Sequence, residues 1–274
     1  MRSHLSGTLL RLRKRVRHRL RSGSMPTRAA FLVGSGRSGT DVAAVKVGSS
    51  LDVILVNEHN PVAFENWRLR DLAVVDRLLE RSFAPVLLFK PIVETYRIRE
   101  LLDHFSGSRA LFLSRNPFDS VNSMNRFFGE RTREVVERWI ESDFTIMKSW
   151  TVPPEVAAEA RDLYGDGVSL PEAAGIYWLV YNAAFEALEL AGDPRVMLVL
   201  YEDFVGDPHA EIRRICRHLE VPFRPSMSAG VFRSSVGRHA RPELRPSIER
   251  ACERVWGTMQ SRREATRDGR GHGD

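Results

Sequence analysis

The sequence predicts a doubly wound α/β fold, in which a mainly parallel sheet is flanked by helices and carries a helical insertion. Three observations support this prediction. Five short apolar runs have the composition of strands buried on both faces. Helix-like stretches alternate with these runs in the βαβα order of a parallel sheet. Residues 129–191 contain helical periods and no convincing strand.

The predicted elements follow one another along a chain of 274 residues, which is long enough for one sizeable domain. The predicted strands are 29–34, 51–56, 85–90, 109–115 and 195–201. The helix-like stretches between the first four strands and after them are 40–48, 66–82, 95–105 and 117–128. We expect a domain over 29–260, with the helical insertion at about 129–191 and a polar tail over 261–274.

The charge of the chain is concentrated at its start. Residues 1–28 carry nine Lys or Arg and no Asp or Glu, whereas the whole chain has 41 basic and 35 acidic residues. The arm alternates arginine with Leu and Val and lacks the apolar core of a secretory signal. Two interpretations stay open: a disordered, solvated extension, or a basic helix that makes peripheral contact with an anionic membrane. No nucleic-acid partner is expected.

The cellular compartment is predicted from cysteine use and hydropathy. Cys216 and Cys252 stand alone, without metal-ligand spacing, which favours a reducing compartment. No apolar run approaches the roughly 18 residues of a membrane span. We therefore expect a cytoplasmic protein, with peripheral contact at the inner face of the membrane as the open alternative. The sequence does not predict the oligomeric state.

The stretch Gly34-Ser35-Gly36-Arg37-Ser38-Gly39-Thr40 lies between the first predicted strand and the next helix. Glycines permit backbone turns in which N–H groups converge on an anion at a helix N-terminus. Lys-Ser or Lys-Thr would follow the second glycine of a nucleoside triphosphatase loop, but Thr40-Asp41 follows here. The loop therefore predicts a phosphate site without the usual ATP–Mg²⁺ machinery, although an ordinary turn remains an alternative. The candidate binding residues are Gly36, Arg37, Ser38, Gly39 and Thr40.

A second anion site is predicted at the end of the strand over 109–115. Arg115 lies at the carboxyl end of this strand, where ligands of open α/β sheets bind. Ser123 follows about two helical turns later and is placed to reach the same anion. The alternative is a structural ion pair between Arg115 and Asp119.

The two segments together resemble the cofactor-binding motifs of the sulfotransferases that use 3′-phosphoadenosine 5′-phosphosulfate (PAPS). "GSGRSGT" is similar to the loop that holds the 5′-phosphosulfate, and "SRNPFDSVNSM" to the Arg and Ser that hold the 3′-phosphate. "VMLVLYEDFVGDPHAEIRRICRHLEVPF" resembles a later strand and helix of the family. "SSVGRHARPEL" resembles its closing loop, which implies 3′-phosphate contacts from Ser235, Gly237 and Arg238. The likeness covers about residues 29–260 and implies a P-loop-like fold, with bacterial, carbohydrate-type relatives.

The chain departs from the family pattern at two positions. Asp41 stands where Thr or Ser is usual, and His239 where Trp is common. Family chemistry implies an in-line sulfuryl transfer to an acceptor hydroxyl, with release of 3′,5′-ADP and without a metal. The sequence has no His, Cys, Asp and Glu cluster with ligand spacing.

Glu58 is the candidate general base. Some relatives use a histidine two residues after a strand-end lysine, but Ile92 stands at that distance from Lys90. Relatives that act on carbohydrates place a glutamate after the second strand, where this chain has Glu58. A structural cap is the alternative role of Glu58. The other candidate bases are His59, Glu65 and Glu94.

Lys90 is the candidate for stabilising charge on the leaving phosphate, because it is a rare lysine at the end of a buried strand. An ion pair with a nearby carboxylate is its alternative role. The acceptor is expected to be a carbohydrate, a glycolipid or a small hydroxylated metabolite. Two other classes stay open: a nucleotide kinase or NTPase, and a non-catalytic nucleotide- or lipid-binding protein.

Overall fold

The computed structural model describes residues 10, 12–14, 16, 17, 26–147 and 151–268. Its strands are β1 (Arg28–Gly34), β2 (Val53–Val56), β3 (Phe64–Glu65), β4 (Arg68–Leu69), β5 (Val86–Phe89), β6 (Arg109–Ser114) and β7 (Val196–Leu200). Five of them form one sheet in the order β2-β5-β1-β6-β7, and all neighbours in it run parallel. The prediction of a doubly wound α/β fold is confirmed. Each strand of the five-stranded sheet begins and ends within two residues of the predicted positions.

Ten α-helices are described. They are α1 (Thr40–Gly48), α2 (Leu72–Arg81), α3 (Ile98–His104), α4 (Pro117–Phe127), α5 (Glu130–Glu141), α6 (Pro154–Leu163), α7 (Leu170–Ala187), α8 (Tyr201–Gly206), α9 (Pro208–His218) and α10 (Pro246–Asp268). Among the described residues, none of these helices has the length and apolar character needed to cross a membrane.

Alternating residues of the sheet divide the core into two layers. Phe31, Phe89 and Phe112 belong to the cluster that also contains buried residues of α3 to α7 and α10. The other face packs its aliphatic side chains, such as Leu32 and Leu88, against α1, α8 and α9. Both faces of the sheet are therefore buried, which explains the continuous apolar runs in the sequence.

The helical stretch predicted over 66–82 is shorter in the structure. Residues before 72 form the β3–β4 hairpin instead, with Asn66 and Trp67 at its turn at φ of 49° and 70°. The Asp71 carboxylate accepts a hydrogen bond from the Ala73 N–H at 3.0 Å and so begins α2. The apolar period continued into the hairpin, so the sequence pattern did not show where the helix begins.

Candidate active site

The carboxyl ends of β2, β5 and β1 bring three charged side chains together. Lys90 follows β5, which lies between β2 and β1 in the sheet. Its ammonium donates to Glu58 Oε1 at 2.7 Å and to Asp41 Oδ1 at 2.5 Å. Glu58 follows β2, and Asp41 lies in the first turn of α1 after β1. The strand order thus joins residues that are far apart in sequence.

Burial distinguishes the two carboxylates that contact Lys90. The side chain of Lys90 is 4% exposed, that of Glu58 is 13% exposed and that of Asp41 is 75% exposed. Glu58 Oε2 is buried and has no hydrogen-bond partner among the described residues. One Glu58 oxygen therefore holds Lys90, while the other remains available to a ligand.

The phosphate loop has the backbone shape that its glycines permit. Gly39 has a φ of 83°, and a Cβ at this position would lie 2.2 Å from the Tyr201 ring. Gly34 has a φ of 128°, and its N–H donates to the Thr95 hydroxyl at 3.0 Å. The Thr95 hydroxyl lies 2.9 Å from the Gly34 carbonyl oxygen, which it can donate to in turn. Larger residues at either glycine would push the loop away from the sheet.

The polar side chains of the loop are mostly buried. The hydroxyls of Ser35 and Ser38 lie 2.6 Å apart, and Thr40 begins α1 with 5% of its surface exposed. Gly36 lies beside the cleft described below, where a Cβ would be 3.7 Å from the Tyr177 hydroxyl. With these hydroxyls buried, the backbone N–H groups and the Arg37 side chain are the groups of the loop that would contact a ligand.

Arg37 joins the two motifs that the sequence analysis singled out. Its Nε donates to the Ser123 hydroxyl at 3.2 Å, and Arg115 Nη1 donates to the Arg37 carbonyl at 3.4 Å. Burial lowers the pKa of Arg37, Asp41 opposes this shift, and the positive charges of Arg115 and Arg126 lower the pKa further. The guanidinium of Arg115 thus contacts the Arg37 backbone, and the mutual repulsion of these positive charges favours an anionic ligand beside them.

Arg115 is 6% exposed and its Nε has no hydrogen-bond partner among the described residues. Its Nη2 donates to the Ser235 carbonyl at 2.6 Å and lies 3.8 Å from Asp119 Oδ2. The guanidinium also lies over the Tyr201 ring, 4.7 Å from its centroid. The ion pair between Arg115 and Asp119, the alternative that the sequence left open, is therefore present but long. The Nε donor of Arg115 remains available.

The loop after residue 230 closes over Arg115. The Ser235 hydroxyl lies 2.7 Å from the Tyr201 hydroxyl, and the Gly237 N–H donates to Asp119 Oδ2 at 3.0 Å. His239 contacts Arg126 of α4 through its ring nitrogen. The structure thus brings Ser235 to Arg115 and Gly237 to Asp119, whereas Arg238 is exposed at the surface.

A cleft of about 450 Å³ opens beside the phosphate loop. Arg37, Asp41, Glu58 and Lys90 line its charged end. The remainder of the lining is largely apolar and aromatic and consists of His59, Trp67, Ile92, Val93, Phe127, Phe128, Arg131, Thr132, Val135 and Tyr177, with Gly36 and Thr40 from the loop. A molecule bound in this cleft would contact both Glu58 and the phosphate loop.

The other candidate bases differ in their surroundings. His59 is exposed, lines the cleft and contacts the Trp67 ring edge to face, with centroids 4.7 Å apart. Glu65 lies at the surface within 3.4 Å of Arg70. Glu94 is fully buried, accepts from the Leu69 N–H at 2.6 Å and is paired with Arg97. Glu94 therefore has a structural role, and Glu58 and His59 are the candidates that line the cleft.

Two residues outside the set predicted from the sequence, Tyr201 and Thr95, also shape the site. Tyr201 packs against Gly39, lies under Arg115 and contacts Ser235, so it joins the two motifs. Thr95 holds the first residue of the phosphate loop. The position of Tyr201 at the carboxyl end of β7 was the available signal, because ligands of parallel sheets bind at that edge. No local pattern marked Thr95.

The described part of the basic arm contacts the domain at the last residue of α1 and the first residue of β2. Its described residues are helical, and Lys14 Nζ donates to the Gly48 and Val53 carbonyls. Arg17 forms a two-pronged pair with the buried Asp52, with Nε–Oδ1 at 2.6 Å and Nη2–Oδ2 at 3.1 Å. Lys14 and Arg17 thus contact the domain, and most of the arm, on which the two interpretations of its role depend, lies outside the described residues.

A parallel sheet whose first strand ends in a glycine loop is the architecture of phosphate-binding α/β proteins. The sequence model of the sulfotransferase family matches residues 43–225, about two thirds of the chain. The chain belongs to the sulfotransferase family, a family of transferases. No curated protein sequence gives a significant match.

Solved sulfotransferase structures have the same fold. The sulfotransferase domain from the curacin biosynthetic pathway is 16% identical, with a TM-score of 0.51 over 85% of this chain and 98% of that domain. A sulfotransferase from Alicyclobacillus acidocaldarius is 16% identical, with a TM-score of 0.50 over 89% of this chain and 96% of that one. At this identity the likeness concerns the fold alone.

Proposed function

We propose that the protein is a PAPS-dependent sulfotransferase that sulfates a hydroxyl group of a small-molecule, glycan or glycolipid acceptor. PAPS supplies the sulfuryl group in this chemistry, and 3′,5′-ADP is the product that leaves. The observation that carries the proposal is the buried Nε of Arg115, which has no hydrogen-bond partner among the described residues. A buried guanidinium with an unpaired donor, next to Arg37 and Ser123, fits the 3′-phosphate of PAPS and of 3′,5′-ADP.

The phosphate loop fits the other end of the nucleotide. Backbone N–H groups between Gly36 and Thr40 and the N-terminus of α1 would hold the 5′-phosphosulfate. Arg37 lies between the two anion sites, since it contacts Ser123 and borders the cleft. The Ser235 and Gly237 segment would close the 3′-phosphate site through its contacts with Arg115 and Asp119.

Glu58 and Lys90 carry the chemical roles. Glu58 lines the cleft, and its Oε2 has no partner among the described residues, so this oxygen would accept the proton of an acceptor hydroxyl. Lys90 pairs with Glu58 and Asp41 in this structure and would stabilise negative charge on the departing phosphate. Both roles inferred from the sequence for Lys90, ion pair and charge stabilisation, are compatible with this geometry.

Two other classes make different predictions. A nucleotide kinase or NTPase would need ATP–Mg²⁺. In this loop Thr40 stands where the phosphate-binding lysine would follow Gly39, and Asp41 stands where Ser or Thr would come next. A non-catalytic binding protein of the same fold would need no base, so only the Oε1 of Glu58, which pairs with Lys90, would have a role. The sulfotransferase proposal explains both the loop and this carboxylate.

A ligand screen by thermal unfolding tests the proposal. We expect 3′,5′-ADP at a hundred times its Kd to stabilise the protein by about 2.7 kcal/mol. 5′-AMP, which lacks the 3′-phosphate, should stabilise it much less at the same concentration. A rise in Tm with ATP–Mg²⁺ and none with 3′,5′-ADP would favour the kinase class instead.

Chelation provides a second test of the reaction class. Lys90, Arg37 and Arg115 already supply positive charge where the phosphate groups would bind. We therefore expect sulfuryl transfer from PAPS to proceed unchanged in excess EDTA. Loss of turnover that Mg²⁺ restores would contradict the proposed chemistry.

A further inference from the structure

The hydroxyl of Thr132 is a buried polar group for which the proposed chemistry has no use. Thr132 lies in the first turn of α5 and is 4% exposed. Its Oγ1 has no hydrogen-bond partner among the described residues, and the residue lines the cleft that contains Glu58. Buried hydroxyls in native proteins are nearly always hydrogen-bonded, so this one needs an explanation.

No described residue that lines the cleft provides a partner for the Thr132 hydroxyl. Val93, Val135 and Phe128 are apolar. The Tyr177 hydroxyl is hydrogen-bonded to Tyr181, and burial raises the pKa of Tyr177 to about 12, so it stays a neutral phenol. The partner of the Thr132 hydroxyl is therefore expected to come from a molecule that enters the cleft.

The rim of the cleft carries an aromatic surface on a strained turn. Trp67 is 52% exposed, lies at the tip of the β3–β4 hairpin and contacts the His59 ring at 4.7 Å. Asn66 and Trp67 both adopt the left-handed conformation, which is unfavourable for a large side chain such as tryptophan. Strain of this kind is often found at ligand sites. A half-exposed indole beside a cleft is suited to stack on a flat or apolar ring face.

We propose that the acceptor is a cyclic molecule with at least two hydroxyl groups, one placed at Glu58 and the other hydrogen-bonded to Thr132 Oγ1, with its ring against Trp67. This inference rests on the proposed sulfotransferase function. The bond from the acceptor oxygen to sulfur forms as the bond between sulfur and the 5′-phosphate oxygen of PAPS breaks. The proton of that hydroxyl passes to Glu58, and 3′,5′-ADP leaves with the electron pair of the broken bond.

Simple cyclic alcohols provide the test. Cyclohexanol and the 1,2-, 1,3- and 1,4-cyclohexanediols are titrated by calorimetry into the protein saturated with 3′,5′-ADP. We expect at least one diol isomer to bind about 3- to 10-fold more tightly than cyclohexanol, the usual effect of one additional hydrogen bond. If no isomer binds more tightly than cyclohexanol, the proposal is wrong.

Variants assign the effect to the threonine hydroxyl. Thr132→Val keeps the shape and removes the hydroxyl, and should abolish the diol preference while cyclohexanol affinity stays the same. Thr132→Ser keeps a hydroxyl and should retain the preference. Trp67→Ala should weaken diols and cyclohexanol equally. A diol preference that persists in Thr132→Val would overturn the assignment.

Two further readouts separate this proposal from the one on which it rests. Without ligand, Thr132→Val should raise Tm by about 2–4 °C, because it removes a buried hydroxyl without a partner. An unchanged or lower Tm would contradict this premise. Failure of the parent protein to bind 3′,5′-ADP would count against the sulfotransferase function. Normal 3′,5′-ADP binding without a diol preference would count against the acceptor class alone.

Discussion

The Lys90 ammonium lies 2.7 Å from the Glu58 carboxylate, and this pair occupies the charged end of the cleft. Lys90 also contacts Asp41, whose side chain is largely exposed. The inner carboxylate keeps one oxygen without a partner among the described residues, whereas the outer one borders solvent. Two carboxylates that share one ammonium are therefore expected to act differently.

Replacement of Glu58 by glutamine tests its role as general base. Glu58→Gln keeps the shape of the side chain and removes the proton acceptor. General-base catalysis typically contributes 10²–10⁴-fold, so kcat should fall by about that factor. The affinity for 3′,5′-ADP should barely change. Steady-state kinetics with an identified acceptor and a 3′,5′-ADP titration provide the two measurements.

The control for Glu58 is Glu65→Gln, which alters a surface glutamate of the separate β3–β4 hairpin that does not line the cleft. Its kcat should remain near that of the parent enzyme. A Glu58→Gln enzyme within about threefold of the parent would assign the base to His59, which also lines the cleft.

Asp41 is expected to weaken nucleotide binding. It stands in the first turn of α1, beside the loop that would hold the 5′-phosphosulfate, and its negative charge repels an anion. Asp41→Asn should therefore tighten 3′,5′-ADP binding by about 2- to 5-fold at low salt. The gain should shrink as ionic strength rises. Weaker binding of Asp41→Asn would instead mean that Asp41 is needed to orient Lys90.

Arg115 should discriminate between nucleotides with and without a 3′-phosphate. Loss of a charged phosphate contact costs about 1.5–3 kcal/mol, so Arg115→Ala should bind 3′,5′-ADP about 10- to 100-fold more weakly. Binding of 5′-AMP should change little. Arg254→Ala, which removes a surface arginine paired with Glu159, is the control. Equal losses for both nucleotides would show that Arg115 acts by holding Ser235 rather than by binding phosphate.

The arm contact makes a prediction about stability. Arg17→Ala leaves the buried Asp52 carboxylate without the Arg17 guanidinium. We expect a loss of about 1 kcal/mol, and Tm lower by about 2–4 °C. Arg13→Ala removes an exposed arginine of the same helical stretch and should leave Tm unchanged. Equal Tm values for the two variants would show that the contact contributes nothing to folding.

The arm is also expected to bind anionic membranes. Leu12 and Val16 lie one helical turn apart and are 61% and 53% exposed, while Lys14 and Arg17 contact the domain. The full chain should cosediment with phosphatidylserine vesicles more than a chain that begins at Thr27, and salt should weaken the difference. Equal binding by both chains at low salt would rule out a membrane tether.

Local sequence determined the strands, the phosphate loop and the helix starts with nearby caps. Runs of four or five apolar residues identify the buried strands. Asn116 caps α4, and Pro117 begins it within the same segment. The turns at residues 34 and 39 need glycine, because a Cβ does not fit their positive φ angles. Glycines at such spacing can be recognised in a sequence. The family motifs were readable because each of them lies within one such segment.

The tertiary structure alone decided which residues meet. The order β2-β5-β1 places Lys90 between Glu58 and Asp41, and strand order depends on long-range packing rather than on any local pattern. The hairpin at 64–69 and the unpartnered Thr132 hydroxyl were likewise decided by the tertiary structure. An apolar period is common to a helix and a hairpin, and a hydroxyl is left without a partner only when distant segments enclose it. The sequence therefore determined the segments, and the packing of the sheet determined the cleft.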